Sequence, residues 1–274
     1  MSDILIVIPS RYGSSRFPGK PLAKIAGTEM IKRVAAIAAA VCRNNPDCDY
    51  LVATDDSRIQ DFCLAASIPA LMTSPDCASG TERCWDALMR RETPSRFIIN
   101  LQGDNPLCPV HVIQALIDDW KNTGADVVTP CVRLSWPEYE ELRRTKLTTP
   151  FSGTTVLVDR QGYALAFSKA LLPVVRDPET AERHMELSPV RRHIGLYAYT
   201  RAALQRYLEL PPSLGEQNYI EGLEQMRFLE NGLRVKMAEV SYRGRPSCSG
   251  VDSPEDLRRA EKILAESGEP DLSL

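Results

Sequence analysis

A short, wholly apolar run near the start of the chain, residues 4–8 (ILIVI), constrains the fold more than any other stretch. The run is too short for a helix and rich in β-branched residues, a pattern typical of a parallel strand buried on both faces. It stops at Pro9, and a polar loop follows it. Because open α/β sheets bind ligands beyond the carboxyl ends of their strands, this loop is a candidate binding site.

The loop after the run combines small residues with positive charge. Gly13 and Ser14 allow backbone N–H groups to approach a polyanion closely, and Arg11 and Lys20 add two cations. This combination predicts a triphosphate-binding loop, and an ordinary polar strand-to-helix turn is the alternative. Neither GxxxxGK[ST] nor GxGxxG occurs, so the loop is not a P-loop or a dinucleotide-binding fingerprint.

Strand and helix patterns alternate through the first half of the chain. Short strands are predicted at residues 50–54, 70–72 and 97–101, with helices at 28–41, 57–66, 81–91 and 109–121 between and after them. The alternation predicts an α/β fold with a parallel, doubly wound sheet. Right-handed crossovers would then bring the loops after the first, third and fourth strands to one edge.

The second half of the chain is less regular. It predicts a strand at residues 127–134, a hairpin over 154–168, a helix over 217–231 and a helix that begins after Ser253. Residues 176–190 are charged and lack periodicity, so we expect a flexible loop over the site or at a subunit contact.

Composition excludes several classes of protein. The chain has 274 residues, 43% of them hydrophobic, and a net charge of −3, so it carries no global basic field for nucleic acid. No apolar run approaches the roughly 20 residues of a membrane span, and no secretory signal pattern opens the sequence, so we expect a cytoplasmic protein. Its eight cysteines form no CxxC pair, and we expect free thiols rather than disulfides or a zinc site.

Two aspartates are candidate ligands of a hard cation such as Mg²⁺. Asp104 follows a predicted strand in LQGDNP, and Asp252 precedes the last helix in SGVDSPEDL. Strand-end aspartates also cap turns, and Asp252 fits the capping region of its helix equally well.

Two further places are weaker candidates. The turn at Ser79 and Gly80 suits contacts to a ribose or base, although Ser79 with Glu82 also forms a capping-box pattern. His193 is a lone histidine, for which a structural role is the commoner one.

Motifs spread along the chain resemble the cytidylyltransferases that make CMP-3-deoxy-manno-octulosonate. In order, they are IPSRYGSSRFPGKPL, VATDD, SPDCASGTER, NLQGDNPL, GYALAFSKALLP, RRHIGLYAYT, IEGLEQMRFLENG and GVDSPEDLRRAE, between about residues 4 and 261. The resemblance implies a nucleotide-diphospho-sugar-transferase-like α/β fold with a mixed, mainly parallel sheet and helices on both faces. It also implies that CTP and a 2-keto-3-deoxy sugar acid give the CMP-sugar acid and pyrophosphate, with Mg²⁺ as cofactor. We expect a single domain and a homodimer, with a sugar-side and dimerisation subregion at about residues 130–215.

The resemblance also assigns roles to residues. The predicted catalytic residues are Arg11, Lys20 and Asp104, and the predicted metal ligands are Asp104 and Asp252. The predicted nucleotide-binding residues are Pro9, Arg11, Gly13, Ser14, Lys20, Ser79, Gly80 and Arg83. The predicted sugar-acid residues are Arg16, Gln102, Lys169, His193 and Glu221.

Four positions depart from the family pattern, and they concern the acceptor. Asn105 replaces the Glu after the QGD aspartate, Lys169 replaces an Arg, Thr155 replaces a Lys and Asn218 replaces a Glu. Lys169 keeps the positive charge but loses the bidentate fork of an arginine. The acceptor is therefore the open question: the usual octulosonate, an analogue of it or another acidic acceptor. A catalytically inactive, nucleotide-binding homologue is a further alternative, which the retained Arg11, Lys20 and aspartates disfavour.

Overall fold

A computed structural model gives the structure of residues 2–13, 17–91, 94–217, 220–246 and 250–272. The chain divides into two compact units. The first unit comprises Met1–Gln114, Leu196–Gln205 and Tyr242–Leu274, and the second comprises Ala115–Gly195 and Arg206–Ser241. The second unit begins before the predicted 130–215 subregion and extends beyond it.

The strands of the described residues are, in chain order, β1 (Ile4–Ser10), β2 (Lys24–Ile25), β3 (Thr28–Glu29), β4 (Cys48–Thr54), β5 (Ala70–Met72), β6 (Phe97–Asn100), β7 (Val127–Arg133), β8 (Thr155–Val158), β9 (Ala164–Ser168), β10 (Arg191–His193), β11 (Tyr197–Thr200) and β12 (Val235–Val240). The helices are α1 (Met30–Asn44), α2 (Ser57–Ala65), α3 (Gly80–Arg90), α4 (Val110–Thr123), α5 (Trp136–Thr148), α6 (Pro178–His184), α7 (Arg201–Glu209), α8 (Leu214–Gln217), α9 (Met226–Glu230) and α10 (Pro254–Ser267). A short 3₁₀ helix covers Lys20–Leu22.

The sheet of the first unit is built around β1. Its order is β5-β4-β1-β6-β11, in which β5, β4, β1 and β6 are parallel and β11 is antiparallel to β6. All seven residues of β1 are buried, which confirms the buried parallel strand predicted from the apolar run. Because β4 and β6 flank β1 on both sides, its carboxyl end at Ser10 lies in the middle of the sheet edge.

The start of α1 differs from the prediction. The helix was expected from residue 28, but Thr28 and Glu29 pair with β2 as a small antiparallel hairpin. The turn between the two strands places Ala26 and Gly27 at φ of 47° and 81°. Successive positive φ values are the geometry of a tight hairpin turn, and helical periodicity does not reveal it.

The last helix, α10, is anchored to the same unit. Ser253 caps it, with Pro254 in its first turn, as the sequence predicted. Ala260 and Leu264 of α10 join Ile25, Met30 and Val251 in one buried apolar cluster. This packing fixes the segment before α10, which carries Asp252.

The sheet of the second unit is mainly antiparallel. β12 is parallel to β7, β10 lies between β7 and β8 and is antiparallel to both, and β8 and β9 form the predicted hairpin. Two predictions for this unit are wrong. Residues 176–190 contain α6, whose N-cap Asp177 accepts a hydrogen bond from the backbone N–H of Thr180. The predicted helix over 217–231 is interrupted between α8 and α9, and Gly222 has a φ of 63° that an α-helix does not accommodate.

In the part of the chain that the structure describes, no helix combines the length and the apolar character needed to cross a bilayer. The seven cysteines within the described residues are free thiols, in agreement with the prediction, and Cys248 lies outside those residues.

Candidate active site

A polar cavity of about 210 Å³ lies at the carboxyl ends of the parallel strands of the first unit. The loops after β1, β5 and β6 converge on it, as predicted from the strand order. Its walls include Pro9, Ser10, Arg11, Lys20, Ala78, Ser79, Gly80, Arg83, Gln102, Gly103, Asp104 and Asp252. Predicted nucleotide-binding and metal-binding positions thus line one cavity together with Gln102, a predicted sugar-acid residue.

Lys20 joins the two predicted metal ligands. Its Nζ lies 2.7 Å from Oδ2 of Asp104 and 3.0 Å from Oδ1 of Asp252. Burial lowers the pKa of Lys20, but the two carboxylates more than offset this effect and the net pKa is raised, so the ammonium stays charged. The side chains of Asp104 and Asp252 remain 25% and 41% exposed, so a ligand in the cavity can reach their oxygens. Ser253, rather than Asp252, is the N-cap of α10.

Contacts of Tyr12 close the basic loop. The Gly19 N–H donates to the Tyr12 carbonyl over 3.0 Å, which closes the loop just before Lys20. Gly19 has a φ of 72°, and a Cβ at this position would lie 3.0 Å from the Tyr12 ring. The Arg58 guanidinium lies over the same ring at 3.4 Å from its centroid and is paired with Asp56. Gly19 therefore satisfies both a backbone and a packing requirement.

The turn that carries Asp104 rests directly on the end of β1. A Cβ on Gly103 would lie 2.8 Å from the Pro9 carbonyl oxygen, so only glycine fits this contact. The hydroxyl of Ser10 is buried at the same wall and has no hydrogen-bond partner among the described residues. The Asp104 carbonyl accepts from the N–H of Val251, which ties this turn to the segment that carries Asp252.

The start of α3 forms a further part of the cavity wall. Ser79 is the N-cap and accepts from the Glu82 N–H, while Glu82 accepts from the Ala78 N–H over 2.7 Å. The capping pattern and the place in the cavity therefore coexist. The first N–H groups of a helix favour an anion at this position.

Arg83 and Gln102 make specific contacts within this unit. The Arg83 guanidinium is buried and donates to Thr73 Oγ1, the Ser74 carbonyl and Asp55, so these contacts give it a structural role beside its place in the wall. Gln102, a predicted sugar-acid residue, donates to Asn100 over 2.8 Å and lies beside Gly80.

The remaining predicted residues belong to the basic loop. Arg11 lines the cavity and Gly13 is exposed, whereas Ser14 and Arg16 lie outside the described residues.

The other predicted sugar-acid residues form a cluster in the second unit. Glu221 accepts from the Ser168 hydroxyl at 2.8 Å and from the Lys169 backbone N–H at 2.9 Å. Burial lowers the pKa of the Lys169 ammonium, and the charge of Glu221 partly offsets this. His193, which is half-buried, is hydrogen-bonded through Nε2 to Thr129 Oγ1 at 2.7 Å. Burial, reinforced by the charge of Lys169, lowers the pKa of His193 to about 3, so its ring is neutral.

Lys146 is a member of this cluster that sequence reasoning missed. Its ammonium donates to the carbonyls of Ser152 and Gly153, at 2.8 and 3.0 Å, and to the carbonyl of Lys169. Burial and the nearby Lys169 lower its pKa, while Glu221 acts in the opposite direction. A lysine in the last turn of α5 carries no distinguishing signal, because cations are common at helix carboxyl ends.

Thr129 and Thr155 complete the cluster. Thr129 is the polar residue inside the apolar β7, a signal that could have identified it. Thr155 is buried and donates to the Ala170 carbonyl over 2.7 Å while accepting from the Leu172 N–H. Its hydroxyl shapes the backbone after β9 and does not replace the charge of a lysine.

The fold and the first-unit cavity define the class of the protein. A mainly parallel sheet ends in a glycine-containing basic loop, a helix N-terminus and two carboxylates, the groups that bind a nucleoside triphosphate and its cation. These are the features of an α/β nucleotidyltransferase.

The comparisons with known proteins identify the family. The family model described as Cytidylyltransferase matches residues 5–237. A 3-deoxy-manno-octulosonate cytidylyltransferase of Maricaulis maris is 45% identical over 97% of this chain and 99% of its own length. An 8-amino-3,8-dideoxy-manno-octulosonate cytidylyltransferase of a Shewanella species is 37% identical over 96% of this chain and 99% of its own length. A CMP:2-keto-3-deoxy-manno-octonic acid synthetase solved with CTP has a TM-score of 0.80 at 33% identity and covers 97% of this chain and 99% of that chain.

The chain therefore belongs to the cytidylyltransferase family. The resemblance inferred from the motifs is confirmed, as are the mixed, mainly parallel α/β fold and the nucleotidyltransferase class of the enzyme.

Proposed function

We propose that this enzyme transfers the cytidylyl group of CTP to 3-deoxy-manno-octulosonate, giving the CMP-sugar acid and pyrophosphate. The observation that carries the proposal is the contact of Lys20 with Asp104 and Asp252 in the cavity at the carboxyl end of β1. The Maricaulis maris relative, which is named for this activity, matches nearly the whole chain.

The carboxylates of Asp104 and Asp252 fit a Mg²⁺ ion. They are hard oxygen donors that face the cavity, and they already hold a cationic group, the Lys20 ammonium, between them. Within the described ranges no cluster of three or more His, Cys, Asp or Glu residues surrounds a metal position. A site of two carboxylates completed by triphosphate oxygens and water is usual for this ion. When bound, Mg²⁺ supplies a Lewis acid that neutralises phosphate charge and lowers the pKa of the attacking hydroxyl.

The residues of the chain bind the triphosphate and stabilise the leaving group. The anomeric hydroxyl of the sugar acid attacks the α-phosphorus in line, and negative charge develops on the pyrophosphate that leaves. Arg11 and Lys20 lie at the cavity to stabilise this charge, together with the first N–H groups of α3. This scheme requires no dedicated side-chain base, and the neutral His193 is held by Thr129 in a structural contact.

The cluster of the second unit suits the carboxylate of the acceptor. Lys146 and Lys169 contribute two cations against the single anion Glu221, so a bound carboxylate would balance the charge. Glu221 fixes the backbone of Lys169, which limits the directions in which its ammonium can point. Lys169 would bind the carboxylate as a point charge rather than as a planar fork.

Pyrophosphate release tests the proposal. The enzyme should release pyrophosphate from CTP in the presence of Mg²⁺ and 3-deoxy-manno-octulosonate, and much less with UTP, ATP or GTP. A panel of other sugar acids shows which acceptor is preferred. Pyrophosphate release that is independent of the sugar acid, or that prefers another nucleotide, would contradict the proposal.

A second candidate function is the activation of an analogue altered away from the carboxylate. Thr155 commits its hydroxyl to the backbone, so a charge that the family places there is missing from the cluster. The Shewanella relative is 37% identical in sequence to this chain, and it is named for an acceptor that carries an 8-amino group. Comparing kcat/KM for the two acceptors decides between them. A value for 3-deoxy-manno-octulosonate near 10⁴ M⁻¹s⁻¹ or above would favour the ordinary acceptor.

A cytoplasmic homodimer is also part of the proposal. It is supported by the resemblance to the family. Light scattering of the purified protein over a concentration series tests the dimer, and fractionation of cells tests the location.

A further inference from the structure

Two cysteine sulfurs lie next to each other at the end of the first unit's sheet. Sγ of Cys42, in the last turn of α1, is 3.1 Å from Sγ of Cys48, the first residue of β4. A disulfide has an S–S distance of about 2.05 Å, so a shift of about 1 Å would join the two sulfurs. The turn between them is compact, because the Asn45 N–H donates to the Cys42 carbonyl and the Cys48 N–H donates to the Asn45 carbonyl.

We propose that Cys42 and Cys48 are a site of reversible oxidation, at which a peroxide converts the two thiols into an intramolecular disulfide. The two sulfurs differ in a way that orders the reaction. Cys42 is half-buried and can meet a small oxidant, whereas Cys48 is 7% exposed. The hydrogen bond to Cys42 and burial both raise the pKa of the Cys48 thiol, so Cys48 keeps its proton until the second step.

The reaction has two balanced steps. The Cys42 thiol first loses its proton, and its thiolate attacks one oxygen of hydrogen peroxide, so an S–O bond forms and the O–O bond breaks. Cys42 becomes a sulfenic acid, and the hydroxide that leaves takes up the proton that Cys42 lost, which gives one water. The Cys48 sulfur then bonds to the Cys42 sulfur, the S–O bond breaks, and the hydroxyl leaves with the Cys48 proton as a second water. A dithiol reductant reverses the product to two thiols.

The position of the pair predicts the effect of the disulfide. Cys48 is in register with Ile4, at the first residue of β1, while the cavity lies at Ser10, at the last residue. The bond would therefore fasten α1 to the sheet at the end opposite the site. We expect oxidation to raise Tm by a few degrees and to leave turnover with CTP unchanged within about twofold, because the disulfide restricts chiefly the unfolded chain.

Peptide mapping tests the proposal directly, because Arg43 lies between the two cysteines. The wild-type protein is treated with hydrogen peroxide, its remaining thiols are alkylated, and it is digested with trypsin without reduction. The expected product is peptide 34–43 linked to peptide 44–58, with a loss of about two thiols per chain. Recovery of both peptides in alkylated form would overturn the proposal, as would disulfide-linked dimers on a non-reducing gel.

Two single variants supply the comparison. Cys42→Ser should abolish the linked peptide and the rise in Tm. Cys108→Ser removes another half-buried thiol and should behave like the wild type in both measurements. If peroxide raises Tm equally in the wild type and in Cys42→Ser, the disulfide is not its cause and the proposal fails.

Discussion

Lys20 Nζ lies 2.7 Å from Oδ2 of Asp104, a residue 84 positions further along the chain. The same ammonium also contacts Asp252 at 3.0 Å. The loop after β1 therefore places the Lys20 ammonium beside two carboxylates from turns that lie far away in the sequence. In the proposed reaction, Asp104 and Asp252 would hold Mg²⁺, and the Lys20 ammonium would bind phosphate oxygens of the nucleotide.

Replacing one carboxylate tests its role in turnover. We expect Asp104→Asn to lower kcat by roughly a hundredfold or more, the scale for losing one strong electrostatic contact in a site. Circular dichroism and Tm should change little, because the backbone contacts of the turn remain. Asp61→Asn, an exposed change on α2, is the matched control and should leave kcat unaltered. Near-normal turnover of Asp104→Asn would remove this residue from the site.

A pair of glycine variants separates backbone strain from packing in the basic loop. Gly19 and Gly27 have similar φ values, 72° and 81°, but a Cβ would meet the Tyr12 ring only at Gly19 and nothing within 4 Å at Gly27. Both alanine variants should lose about 1–2 kcal/mol of stability. Only Gly19→Ala should also raise KM for CTP several-fold. Equal KM values in the two variants would show that the Tyr12 contact does not shape the loop.

Lys146 should act as a positioning residue for the acceptor. Lys146→Met removes the ammonium that holds three carbonyls, including that of Lys169. We expect KM for the sugar acid to rise about tenfold, equivalent to about 1.4 kcal/mol of binding, and KM for CTP to stay within about twofold. Arg144→Met, an exposed change on the same helix, is the control. A parallel rise in both KM values would instead indicate a general loss of structure.

The depressed pKa of His193 should make stability depend on pH. Its pKa is about 3 in the folded protein against an ordinary value of 6.5, so the unfolded chain binds the proton first as pH falls. The stabilisation is therefore complete above pH 6.5 and is lost progressively towards pH 3. Between about pH 7 and pH 5, the free energy of unfolding of the wild type should fall by on the order of 1–2 kcal/mol more than that of His193→Gln.

Urea titrations at both pH values measure this difference. His184→Gln, at an exposed position of α6, should reproduce the wild-type dependence on pH. If His193→Gln shows the same slope as the wild type, the folded protein binds the proton on His193 as readily as the unfolded chain does.

The local features of the fold were predictable from sequence because their causes are local. The apolar run of β1 and the cap of α10 at Ser253 depend on neighbouring residues and appear as predicted. The hairpin at Thr28 was missed because Ala26, a non-glycine residue, adopts a positive φ beside Gly27. The helix over 217–231 fails because its apolar spacing continues through Gly222, whose backbone leaves the helical region.

The composition of the site was less predictable from spacing alone. Asp104 and Asp252 were candidate cation ligands from their positions in the sequence, but nothing in their own neighbourhoods reveals that both contact Lys20. Lys146 was missed because its partners are carbonyls, which every residue carries and no sequence pattern marks. Long-range contacts of this kind become visible only when the chain is folded.

The large sequence separation between Lys20 and its two carboxylate partners also determines when this site can form during synthesis on the ribosome. Its two carboxylate partners lie 84 and 232 residues beyond it, and the second precedes the last helix. Proteins emerge amino terminus first, at about 5–20 residues per second. The basic loop is therefore synthesised early but cannot gain its second carboxylate until the chain is nearly complete. A nascent or prematurely terminated chain that ends before Asp252 would present an exposed cationic loop without a finished cation site.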